Sequence, residues 1–281
     1  MSHGPTRYPS KGRCIYCGRQ GFRLTDEHVL PRSLGGVHVL EKASCDACAE
    51  ITSKFERSIA RGMWGDARIA YGASSYRKKD KPTHIILPPV KPGQQPLTVP
   101  YSEYPAAMIW YWMSPAGIFQ GLPADYDLSK KWILKATHDD KKVEAFLKRY
   151  PGRLTSRFRH APEDFGRLIL KIGYCQALTM LDLEDFTSIC VPRIMGSEGN
   201  VSYLVGSKEE ADERIQFGYH LSTEAVGTLD EMTIFSNVRL YPNLHSPTYH
   251  AVIGKVTGRT RVQHVYDKWQ KAYGVQVEAV V

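Results

Sequence analysis

The sequence predicts an α+β protein in which a small zinc-stapled unit precedes a larger mixed α+β domain. Three observations carry that reading. Two Cys-x-x-Cys pairs, Cys14/Cys17 and Cys45/Cys48, stand near the N-terminus, and a strand–loop–strand–helix pattern lies between and just beyond them. After residue 100, helical and alternating apolar stretches follow in mixed order. At 281 residues the chain is long for one compact domain and short for three, so two units are expected.

The cysteine pairs come first because they fix the unit. At two-residue spacing the backbone amides of a tight knuckle face the sulfurs, and two knuckles supply the four thiolates that Zn²⁺ prefers. The N-terminal residues are polar and basic with no apolar signal core, so a cytoplasmic location is expected, where thiols stay reduced and bind metal rather than pair as disulfides. Cys175 and Cys190 lie apart and read as small buried apolar residues. The longest apolar stretch, residues 106–113, is too short to cross a bilayer, and no membrane partner is expected.

Residues 1–11 read as a flexible tail, and a short strand near Phe22-Arg23-Leu24 should bring His28 to its end. Pro31 and Gly35-Gly36 force a loop, after which Val37-His38-Val39-Leu40 alternates as a second strand. The second knuckle opens a helix from about Asp46 to Arg61, with Ile51, Phe55 and Ile59 facing inward. Such a unit, residues 12–82, is too small for a stable core, and zinc supplies the missing stabilisation. Residues 83–100, rich in Pro, Gly and Gln towards their end, read as a linker. In the accessory domain, 101–281, a strand is expected at 131–137 and helices at 140–150 and 162–181. Phe165, Leu168, Ile169, Ile172, Cys175 and Leu178 line the core face of the second helix. Alternation at 201–205, 232–235 and 250–256 predicts strands.

The formal net charge is +8. Residues 1–82 hold 15 Lys/Arg against 8 Asp/Glu, whereas the rest of the chain is nearly balanced. A basic field concentrated on the zinc unit favours a polyanionic partner. Arg77-Lys78-Lys79 and Arg32 are candidate phosphate contacts, with Tyr71 and Tyr76 able to stack on bases.

The run Asp26-Glu27-His28-Val29-Leu30-Pro31 with Leu34-Gly35-Gly36, bracketed by the two knuckles, resembles the zinc-stapled HNH (ββα-metal, treble-clef-like) endonucleases over roughly residues 12–62. The resemblance implies His28 as general base and Glu27 as a ligand of a catalytic Mg²⁺ or Mn²⁺, with Cys14, Cys17, Cys45 and Cys48 holding structural zinc. It implies hydrolysis of phosphodiester bonds in double-stranded DNA. The chain departs from the pattern at Ala49, where the family commonly has Asn or His. Glu56, on the same helical face, is the candidate replacement ligand, against a surface ion pair with Arg57, Arg61 or Arg68. A nucleic-acid-binding zinc module with a degenerate nuclease site is the alternative. The C-terminal domain is expected to select substrate, form a homodimer, or sense a signal.

Overall fold

The computed structural model describes residues 5–70, 82–155, 158–208 and 218–273; the expected contacts Arg77, Lys78 and Lys79, with Tyr71 and Tyr76, lie outside the described residues. Strands β1 (Thr6–Tyr8), β2 (Leu24–His28) and β3 (His38–Cys45) form a sheet in the order β1-β3-β2, with β1 parallel and β2 antiparallel to β3. Residues 6–8, expected in a loose tail, are therefore a strand. The Tyr8 hydroxyl and His38 Nδ1 meet at 2.9 Å across that pairing, a long-range contact that local periodicity does not reveal.

β3 runs directly into α1 (Asp46–Arg57), whose first turn carries the Asp46 carboxylate at the positive end of the helix dipole. Glu50 and Lys54, one turn apart, pair at 3.0 Å on its exposed face. The helix widens into a π-helical stretch, Ser58–Met63, before α2 (Gly65–Ala70). Phe55 and Ile59 are buried as expected, while Ile51 is only half-buried.

The segment expected as a linker contains a hairpin, β4 (His84–Leu87) against β5 (Leu97–Pro100). Its Pro- and Gly-containing stretch is the loop between them. Ile85, Leu87 and Val99 point into the core. β6 (Met108–Trp112) then pairs with β7 (Ile133–Thr137), and α3 (Asp140–Arg149) follows with the Asp139 carboxylate accepting from the Lys142 amide. α4 (Pro162–Ala177) starts with proline and two acids, the residues a helix N-terminus favours.

A five-stranded sheet closes the architecture. β8 (Thr187–Ser188) precedes a short helix, α5 (Val191–Met195), and β9 (Val205–Lys208) follows it. The long strands β10 (Tyr219–Gly227), β11 (Glu231–Leu240) and β12 (Thr248–Thr257) lead to α6 (Arg259–Tyr273). The strand order is β10-β11-β12-β8, with β9 also on β12. Residues 201–203, expected as strand, form a 3₁₀ turn ahead of β9.

α4 is the central element. A Cβ at Gly173 would sit 2.8 Å from Ala251 Cβ and 3.2 Å from Ser236 Cβ, so glycine lets the helix lie against the sheet. Elsewhere on α4, Tyr174 donates to the Ile15 carbonyl in the first knuckle at 2.7 Å, and the Tyr16 hydroxyl meets Cys175 Sγ at 3.6 Å. One hydrophobic cluster consequently runs from Cys14 to Val265. Burial against α4 gives the small zinc unit the core it lacks by itself.

Candidate active site and metal staple

The four cysteine Sγ atoms lie within 4.8 Å of one another. Cys17 and Cys45 Sγ are 3.7 Å apart, close to the edge of about 3.8 Å of a tetrahedron with Zn–S bonds near 2.3 Å. That spacing is far beyond a disulfide bond, and all six cysteines are free thiols. The first knuckle turns through a bond from the Gly18 amide to the Cys14 carbonyl, with Gly18 at φ +70°, and the Cys45 amide points at Cys14 Sγ from 3.4 Å. The donor set fits Zn²⁺, held by Cys14, Cys17, Cys45 and Cys48. When bound, it is a closed staple between β3, α1 and the first knuckle, with no open position for chemistry.

β2 presents the acid–histidine pair. Its pairing with β3 shifts register between Thr25 and Glu27, and the bulge separates the roles of neighbouring carboxylates. Asp26 turns outward to Arg7 at 2.9 Å and to the Lys42 amide at 3.1 Å. The Lys42 amide first, then Arg7, hold its carboxyl below the ordinary value. Glu27 turns inward and is buried. His28 pairs opposite Val39 and stands on the wall of a cleft of about 810 Å³, together with Arg7, Arg32, Ala49, Ser53 and Glu56. The expected site residues Glu27, His28, Arg32 and Glu56 are thus brought together.

The His28 imidazole is half-buried, and its buried Nδ1 has no hydrogen-bond partner among the described residues. Burial lowers its pKa first, Lys171 and Arg32 lower it further, and Glu56 and Asp26 oppose them weakly. The ring is therefore neutral at neutral pH, the form that accepts a proton. His38, in contrast, is tied to Tyr8 and packs edge-on against Tyr219. It is structural.

The loop after His28 depends on Gly36. A Cβ there would lie 1.8 Å from the Leu30 carbonyl oxygen, a backbone atom that cannot step aside. Gly36→Ala is expected to cost about 2 kcal/mol or more, read as a lower denaturant midpoint, and to shift the strand end that carries His28.

The largest departure from expectation concerns the carboxylates. Glu27 and Glu56 converge on the ammonium of Lys171 in α4, whose Nζ lies 2.7 Å from Glu27 Oε1 and 2.8 Å from Glu56 Oε1 and also donates to the His28 carbonyl. Two of the three arginines considered as partners for Glu56 are engaged elsewhere: Arg57 Nε donates to the Ser53 carbonyl, and Arg68 to those of Ala60 and Ser33. Burial alone would lower the Lys171 pKa, but the facing Glu27 and Glu56 charges outweigh it and hold the ammonium protonated. Glu27 is pushed up by its burial, against the pull of Lys171.

The pair expected to hold Mg²⁺ or Mn²⁺ is thus already joined to a cation, and Ala49 adds no donor. As arranged, these residues do not fit a divalent ion. Lys171 was missed because periodicity assigns α4 wholly to core. The available signal was a lysine inside the apolar run Leu168-Ile169-Leu170-Lys171-Ile172, since a buried charge requires a partner.

A ββα unit framed by four clustered cysteines thus carries an acid–histidine pair at the end of its first strand. Residues 14–61 match the family model described as HNH endonuclease. No curated protein and no solved structure matches the chain.

Proposed function

We propose that the protein hydrolyses phosphodiester bonds of nucleic acid, with double-stranded DNA as substrate and His28 as general base. The observation that carries this reading is the His28 imidazole, its pKa lowered by burial, on the wall of a cleft within the HNH segment. His28 takes a proton from water as its oxygen attacks phosphorus; the bond to the departing sugar oxygen breaks, and that oxygen gains a proton from solvent. Arg32, exposed on the cleft rim, supplies positive charge towards the phosphate oxygens.

A second hollow supports a polyanionic substrate. Lys54, Arg57, Arg61 and Arg159 line a depression of about 430 Å³ beside α1, with no carboxylate in its lining. Arg57 adjoins the cleft residues Ser53 and Glu56 on α1, so a strand crossing the cleft can continue over these cations. For an Arg61→Ala/Arg159→Ala double variant, the slope of log affinity against log salt is expected to become shallower by about 2, measured by fluorescence anisotropy with labelled duplex. An unchanged slope removes this surface from the interface.

The direct test incubates zinc-loaded protein with supercoiled DNA, linear DNA and RNA, with and without added divalent ions. Nicking or cutting of DNA is the expected result. The specific observations of Ala49 and the Lys171-bound carboxylates favour one second reading, a binding module whose nuclease chemistry is lost. Salt-sensitive binding without cleavage under every condition would select it.

A further inference from the structure

We propose that Lys171 is the resident cation of the HNH site: its ammonium, delivered by α4 from outside the family segment, joins Glu27 to Glu56 and occupies the place a divalent ion would need. The ammonium donates to the His28 carbonyl and forms ion pairs with both carboxylates, 2.7 Å from Glu27 Oε1 and 2.8 Å from Glu56 Oε1. The lysine is wholly buried and cannot reach a phosphate, so it is a positioning residue. Through the carbonyl it fixes the end of β2, and through the carboxylates it ties β2 to α1. These are the two elements whose spacing sets the cleft. The HNH segment is therefore incomplete without α4.

Charge explains why one cation suffices. The buried Glu27 and the half-buried Glu56 carboxylates repel where they face each other, and an enclosed ammonium between them removes most of that repulsion without ligand exchange. A divalent ion would have to displace a tethered competitor already at hydrogen-bond distance from both ligands. This inference rests on the reading of Glu27 and Glu56 as HNH-site residues, but its test requires no cleavage and so fails or stands apart from the proposed activity.

The test uses full-length, zinc-loaded protein and Mn²⁺ as probe, with thermal unfolding and Mn²⁺ paramagnetic resonance as readouts. The wild type is expected to leave the free-Mn²⁺ signal and its own Tm unchanged. Lys171→Ala opens the space and bares the carboxylates; its Tm should fall without Mn²⁺ and rise by about 4–5 °C once Mn²⁺ exceeds its Kd a hundredfold. A control with the charges removed together, Glu27→Gln/Glu56→Gln/Lys171→Met, should fold without responding to Mn²⁺. Recovery of Lys171→Ala only from Mn²⁺-containing medium is the same supporting result read at the level of folding. A wild-type protein that binds one Mn²⁺ and gains Tm from it overturns the proposal, as does a folded Lys171→Ala protein indifferent to Mn²⁺. Should Lys171→Ala fail to fold under both conditions, the wild-type resonance measurement decides alone.

Discussion

His28→Ala is expected to lower the DNA cleavage rate by about a hundred- to ten-thousand-fold, because loss of a positioned general base costs that much, while the zinc staple and the core around α4 keep the fold. The His28 carbonyl, which anchors Lys171, belongs to the backbone and survives the substitution. The pH profile supplies an independent check. Burial, Lys171 and Arg32 hold the imidazole below its ordinary value, so its neutral, reactive form predominates at neutral pH. Activity should fall as pH drops through a midpoint below about 6.5, and the decline should vanish from the residual rate of His28→Ala. Cleavage equal to wild type at every pH would remove His28 from the chemistry.

The contrast between His28 and Lys171 shows what a sequence discloses. The knuckles, the acid–histidine pair and the glycine loop are local: their chemistry follows from residues a few positions apart, and the structure brings the four sulfurs and the Glu27–His28 strand together as their spacing implies. β1 and the partner of Glu27 and Glu56 are not local. β1 depends on pairing with β3 rather than on its own three residues, and the contact between Lys171 and His28 joins positions 143 apart. The hairpin at 84–100 was hidden for another reason. Its turn residues have the composition of a linker, and only the alternation of Ile85 and Leu87 into the core distinguishes the two. Periodicity located α4 well because it is long and strongly patterned, yet the same pattern concealed Lys171, which couples it to the cleft.

Removing the zinc should have a larger effect on the whole molecule than any single site substitution. Structural Zn²⁺ contributes about 10–16 kcal/mol of apparent binding free energy in small zinc units at neutral pH, comparable to or above the total stability of an ordinary domain, about 5–15 kcal/mol. Cys14, Cys45 and Cys48 lie inside the same hydrophobic cluster as α4, and Ile15 and Tyr16 of the first knuckle contact Tyr174 and Cys175. Loss of the metal therefore releases the first knuckle from β3 and α1 and removes one wall of the core around α4. Chelation, or Cys45→Ser, is expected to lower Tm by more than about 10 °C and to abolish cleavage through loss of structure. Because the thiolates must stay deprotonated to bind, the chelator should act faster as the pH is lowered. Zinc release, followed with a colorimetric chelator, should coincide with loss of near-ultraviolet ellipticity from Tyr16 and Tyr174. Stoichiometric zinc release with Tm and ellipticity intact would show that the sulfur cluster is not what holds this unit together.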